Sequence, residues 1–312
     1  MSGDTELRIL LDPPGMDADI GARFLTRCFG TRWTAAMYRW YLQRSFGGEA
    51  PERLIMVDGG RVVAVIALVF RLLRTPDDTV HRVSVLVAGA TLPGERGRGC
   101  YARILQAALA RSALRGCTAA LGFVTADNAT GRGLLRLGAV GVASAYIASP
   151  GVARTHAGAP LRLWGAMTTD RWPARASARL ASPPLQAGFH YPDFSAWASQ
   201  MLDRPHHVQP LRVGTTCRAL VESVEETDRL QWLDGDPRER AAAIRALAAH
   251  AHHRRRQFFM YSTRCEDLAT AHRLGLLARP GCMMMVAPEA RHEATVRNWA
   301  ALSCDVQSGD RM

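Results

Sequence analysis

Ala90-Thr91-Leu92-Pro93-Gly94-Glu95-Arg96-Gly97-Arg98-Gly99-Cys100-Tyr101-Ala102-Arg103-Ile104-Leu105 changes period partway along its length. Its first residues end a β-rich run, His81 to Thr91, that stops at Leu92-Pro93. Its last residues begin a helix from Cys100 to Arg115, in which Tyr101, Ile104, Leu105, Ala108 and Leu109 share one face while Arg103 and Arg111 lie off it. Gly116 ends that helix. A loop entering a helix leaves the first backbone N–H groups unpaired and presents the positive end of the helix dipole. Glycines let the backbone close on an anion, so a turn of this kind can cradle a pyrophosphate, and Arg96 and Arg98 add charge. Taken alone, the turn reads equally well as a solvated basic loop.

The neighbouring elements narrow the choice. Ala18 to Phe29 has helical spacing with Gly30 as a C-cap, and Thr34 can cap a second helix through Leu42. Leu54 to Val57, Asp58-Gly59-Gly60 and Val62 to Leu72 predict a hairpin, since Asp-Gly between β-rich runs favours a tight turn. Downstream, Ala119 to Val124 reads as a strand with Asn128 just past its end. A short helix then reaches Leu137-Gly138, and Val140 to Ile147 is a further strand.

The string from Ala90 to Leu105 resembles the signature of the GNAT N-acyltransferase family: a strand, a Pro, then Arg-x-x-Gly-x-(small) opening a helix. Arg96 takes the Arg position, Gly99 the central Gly and Tyr101 the last position. The stretch with Asn128 and Leu137-Gly138 resembles the family's next strand, Asn, helix and Leu-Gly. The resemblance covers about residues 17–150. It implies a mixed, mostly antiparallel splayed sheet flanked by helices, in the α/β (α+β) class. It also implies an acyl-CoA co-substrate, acetyl or longer. The pantetheine arm would pair with the fourth strand at Ala90, Thr91 and Leu92. The pyrophosphate would rest on Arg96, Gly97, Arg98, Gly99, Cys100 and Tyr101, with Asn128 nearby, and the thioester would lie between the fourth and fifth strands. Two departures stand out. Tyr101 replaces the usual Gly or Ala, as in a branch of tandem acyltransferases, and Leu135 stands where many members carry the Tyr that protonates the leaving thiolate. His81 and Asp127 are candidates for the base that neutralises the attacking amine, and for each a structural role stays open.

Pro150 to Pro184, rich in Ala, Pro, Gly and Arg, reads as a connector. Beyond it the order of elements repeats. Leu211 to Val224 and Arg229 to Leu233 read as strands, and Asp236-Pro237 starts a helix that runs to His253. Gln257 to Thr263 is a strand, Glu266 to Leu274 a helix and Cys282 to Ala287 a strand. Arg273-Leu274-Gly275 echoes Arg136-Leu137-Gly138, so the expectation is two tandem GNAT-like domains, 1–150 and 185–312, joined by a linker at 151–184. Asp234-Gly235-Asp236-Pro237 stands where the first copy has its Arg-Gly turn. Two carboxylates and a Pro cannot receive a pyrophosphate, so the second copy reads as a degenerate domain that walls the acceptor pocket.

Composition sets the outer limits. The chain of 312 residues is 48% hydrophobic, enough for a sizeable core. No run approaches the roughly 20 apolar residues that cross a bilayer, and the polar start lacks signal-peptide regions, so the expectation is a cytoplasmic protein without membrane insertion. The seven cysteines lack C-x-x-C spacing, and neither disulfides nor a metal site are expected. The formal charge of +11, carried without a single Lys, suits an anionic partner, and a phosphorylated co-substrate is a smaller assumption than nucleic acid. The functional expectation is acyl transfer to a primary amine of a small molecule, such as an amino sugar or secondary metabolite, by a monomer or homodimer. Protein or peptide N-acetylation and a silent acyl-CoA-binding scaffold stay open.

Overall fold

The structure is a computed structural model and describes residues 7–13, 16–125, 128–149 and 186–311. Asp127 and the connector 151–184 lie outside the described residues.

The first half runs β1 (Arg8–Leu11), α1 (Ala18–Phe29), α2 (Ala35–Leu42), β2 (Glu52–Asp58), β3 (Arg61–Arg74), β4 (Val80–Thr91), α3 (Cys100–Leu114), β5 (Ala119–Thr125), α4 (Ala129–Arg136) and β6 (Val140–Ala148). Its capping follows the residues. Asp17 Oδ1 accepts from Ile20 N–H at the start of α1, Gly30 closes that helix at φ 69°, and Thr34 caps α2. The second half runs β7 (Gly188–His190), α5 (Phe194–Met201), β8 (Val208–Val213), β9 (Cys217–Val224), β10 (Thr227–Asp234), α6 (Pro237–His253), β11 (Gln257–Ser262), α7 (Cys265–Arg273), β12 (Leu277–Val286) and α8 (Glu293–Ala301). The expected single strand from Leu211 to Val224 is two. The chain folds back at Gly214, whose φ of 65° makes the turn. β1, β7, α5 and α8 have no counterpart in the sequence reading.

The twelve strands of the described residues join one mixed, mostly antiparallel sheet in the order β1-β2-β3-β4-β5-β12-β6-β11-β10-β9-β8, with β7 on β3. Two pairs are parallel, β4 with β5 and β10 with β11. α3, α4, α6 and α7 cover one face, and α1, α2, α5 and α8 the other. The two halves exchange their last strands. β12 lies between β5 and β6, while β6 lies between β12 and β11. The β6–β12 ladder runs from Val140 opposite Met285 to Ala148 opposite Leu277, with Ser144 opposite Gly281 at its centre. Each strand enters this ladder from its own Leu-Gly turn, with Gly138 at φ 81° and Gly275 at φ 67°, so the ladder is a local two-fold. Gly281 has a packing reason as well, since a Cβ there would meet the Tyr146 ring at 2.6 Å. Among the described residues no helix is long and apolar enough to cross a membrane.

Candidate functional site

β4 carries the irregularity on which the site depends. Val83, Val85 and Val87 face the α1 side, and then the alternation breaks, so that Ala90 and Leu92 face it too. The two residues between make a bulge. Val87 pairs with Ala67 and Ala90 with Val65, and Ala88 takes φ 52°, which a non-glycine residue rarely adopts. Parallel pairing of β4 with β5 spans only Val83 to Val85. Beyond Leu86 the strands splay, leaving the far edge of β4 without a β5 partner. Thr91 lies on this stretch, and its Oγ1 is buried with no hydrogen-bond partner.

On the α3 face the gap leads to the Arg-Gly turn. Gly97 at φ 86° and Gly99 at φ 75° turn the backbone there, and Gly99 caps α3 without any side-chain acceptor for the first N–H groups. Those donors are free for an anion. The arginines are less free than charge alone suggests. Arg98 pairs with Asp58 at 2.9 Å and with Glu95, Arg61 also reaches Glu95, and Arg96 donates to the Cys28 carbonyl at 3.0 Å. Cys100 is buried. Tyr101 extends from the first turn of α3 to the bulge, where a Cβ on Gly89 would stand 2.8 Å from its hydroxyl. Burial raises the Tyr101 phenol above its ordinary range, opposed by a hydrogen bond with Thr130 at the start of α4. Asn128 uses Oδ1 to accept from Thr130 N–H at 2.7 Å and so caps α4. Leu135 is exposed and points no proton donor at the gap.

On the α1 face the gap opens into a pocket of about 420 Å³ lined by Phe29, Trp33, Val87, Ala88, Phe123 and Arg311, among others. Phe29 and Trp33 stack with ring centres 6.2 Å apart. The volume falls within the range of small-molecule sites. Arg311 was not foreseen from the sequence, because only the path of the last residues brings it here.

His81 sits at the opposite end of β4. It lies seven positions along the strand from Ala88, roughly 20 Å at the rise of a strand. Its ring lies 4.6 Å from that of Trp299, and burial lowers its imidazole below the usual range. The structure does not bring His81 together with the pocket.

The second half has the matching gap, and it is filled. β10 and β11 pair in parallel from Thr227 to Leu230, and past that point Gln307 and Ser308 enter between them. Leu233 N–H donates to Gln307 Oε1 at 2.7 Å, Gln307 Nε2 donates to the Leu233 carbonyl at 3.2 Å, and Tyr261 N–H donates to Ser308 Oγ at 2.7 Å. The turn before α6 is closed as well. Asp236 accepts from Arg238 N–H, and Glu239 receives both Thr215 and Thr216 from the β8–β9 turn. A Cβ on Gly235 would lie 2.6 Å from Cys217 Cα. Among the described residues no group of His, Cys, Asp and Glu is arranged to hold a metal.

No protein-family model and no curated protein matches the sequence. Solved structures do match over most of the chain. A tandem GNAT protein from the clavulanic acid biosynthesis pathway aligns with TM-score 0.62 at 11% identity, over 91% of this chain and 99% of that one. A GCN5-related N-acetyltransferase from Anabaena variabilis aligns with TM-score 0.58 at 13% identity, over 91% and 74%. One from Sphaerobacter thermophilus aligns with TM-score 0.57 at 14% identity, over 89% and 94%. The chain has the tandem fold of the GCN5-related N-acetyltransferases.

Proposed function

We propose that the protein is an acyl-CoA-dependent N-acyltransferase that moves an acetyl or longer acyl group to a primary amine of a small molecule. The observation that carries this reading is the splay of β4 from β5, with an anion-ready helix start on one face and a small pocket on the other. In this reading the pyrophosphate rests on the backbone N–H groups of Gly97 to Tyr101. The pantetheine arm pairs with the free edge of Ala90, Thr91 and Leu92, and the orphaned Thr91 hydroxyl supplies a fitting polar contact. Asn128 holds the start of α4 beside the arm.

The amine enters from the α1 face. It loses a proton to a base, its nitrogen forms a bond to the thioester carbonyl carbon, and the C–S bond breaks. The thiolate takes a proton and leaves as free CoA. His81 is poorly sited for the base, and no other group is assigned to that role. The second half binds no CoA in this reading, because Gln307 and Ser308 fill its gap and carboxylates line its turn.

Calorimetric titration with CoA should saturate at one per chain. Gly99→Val, which forces a β-branched residue to φ 75°, should raise the CoA Kd at least tenfold in a folded protein. Thiol release from acetyl-CoA across a panel of primary amines should expose turnover. Unchanged CoA binding by the folded Gly99→Val variant would sink the site assignment. Tight CoA binding without thiol release on any amine would favour a silent binder, the reading that Leu135 supports.

A further inference from the structure

The segment that plugs the second gap ends in the pocket of the first. After Gln307 and Ser308 the chain makes a short 3₁₀ turn, Ser308–Arg311. Asp310 points away from the pocket, taking the Tyr191 hydroxyl at 2.6 Å and Gln307 N–H at 3.0 Å. Arg311 points into the pocket. Its guanidinium carbon lies 4.6 Å from the Tyr261 ring centre, 4.8 Å from Tyr146 and 6.0 Å from Phe123. Those rings come from β11, β6 and β5, so both halves of the sheet hold the cation in place.

Ring faces attract a guanidinium but do not satisfy its five N–H donors. Arg311 Nε is buried with no hydrogen-bond partner, and among the described residues no carboxylate pairs with this side chain. Other arginines near the seam have polar partners, since Arg264 grips Asp305 at 2.7 Å and Arg71 donates to Tyr191 at 2.9 Å. A held, donor-rich cation in a pocket whose other lining residues, Thr31 apart, are apolar, among them Phe29, Trp33 and Val87, has the form of a reader for an anionic group.

We propose that the acceptor is an amine that also carries a carboxylate. Arg311 takes the carboxylate, Trp33 and Phe29 take an apolar body, and the amine faces the bulge at Ala88. This describes an α-amino acid or a compound of that pattern. The placing of the amine rests on the N-acyltransferase reading; the binding of the carboxylate does not.

The test is calorimetry on the full chain saturated with CoA, using matched pairs: phenylalanine with phenethylamine, tryptophan with tryptamine, leucine with isoamylamine. The carboxylated member of at least one pair should bind ten times tighter or more. Arg311→Gln should abolish that preference, and Arg311→Lys should keep part of it, since an ammonium retains charge without the fork. Thermal melts establish that the variants fold, and if Arg311→Gln does not fold, the partial loss in Arg311→Lys carries the test. Equal binding within every pair, no binding by any of them, or a preference that survives Arg311→Gln overturns the proposal. Thiol release is scored separately. Its absence with every amine would sink the N-acyltransferase reading while a measured carboxylate preference still stood.

Discussion

Tyr101 and Leu135 together raise the question of where the leaving thiolate finds a proton. Leu135 has none to give. Tyr101 brings a phenol against Gly89 at the bulge, beside the gap where the thioester would lie, and Thr130 fixes its orientation. Tyr101→Phe should therefore slow thiol release about 100-fold, within the range general acids contribute, and leave CoA affinity unchanged. A variant as fast as the native protein would mean the thiolate leaves without help from this side chain. The sequence marked Tyr101 only as a bulky residue in a small residue's place; the reach of its hydroxyl depends on the bulge. A second residue answers to pH. Burial pushes the Asp310 carboxyl up to about 6, partly offset by the Tyr191 and Gln307 hydrogen bonds and by the Arg71 charge. In the unfolded chain it titrates near 4. The native state thus binds the extra proton between those values, and this group's stabilisation, full below about pH 4, is lost as pH rises through 6. Two units correspond to about 3 kcal/mol. Asp310→Asn should gain about that much relative to the native protein between pH 4 and 7, read by urea unfolding. Parallel pH profiles would refute the assignment.

Among elements, those whose signals are local could be read in advance. α1 with its Gly30 cap, α2 with Thr34 and α6 with Asp236 and Pro237 each carry their boundaries in the chain. β7 and α5 do not. β7 is only Gly188–His190 and exists because β3 extends far enough to pair with it. The bulge in β4 was not legible, since Leu86 and Ala88 are apolar as well, and the slip in spacing from two to three between Val87 and Ala90 shows only in the packing. Joining α6 to α7 is a buried pair that no periodicity reveals. Arg240 donates to both oxygens of Asp267 at 2.7 Å and to the Leu233 carbonyl at 2.8 Å, and Ser262 Oγ donates to Asp267 at 2.6 Å. Asp267→Ala would leave the guanidinium buried without its counter-ion and should cost about 3–5 kcal/mol of unfolding free energy. Breaking the exposed Arg297–Glu293 pair should cost less than about 1 kcal/mol. A similar small loss in both variants, by denaturant titration, would show that the α6–α7 pair is not holding the layer together.

For the whole molecule, the exchange of β6 and β12 is the feature that sequence could not supply. Periodicity identifies a strand, not its neighbour, and the repeated Arg-Leu-Gly triplets fit two side-by-side domains as well as two interlocked ones. The difference is physical. Without β12, the edge of β5 from Ala120 to Thr125 loses its antiparallel partner, and the first core loses Met283 and Met285, each 1% exposed. Without β6, β11 loses its antiparallel partner and the second core loses Ala145 and Ile147. An open edge beside a stripped core favours association over folding. Residues 1–150 expressed alone should therefore be insoluble or aggregated. Co-expressed with residues 185–312, they should return as a soluble one-to-one complex that binds CoA, and the intact chain should unfold in one cooperative step. The same interlock places the walls of the pocket on the α1 face, Phe123 from one half and Arg311 from the other, under a single folding event. A soluble, monomeric 1–150 fragment with native CoA affinity would show that the first half closes its own sheet, and that the exchanged ladder adds nothing to the site.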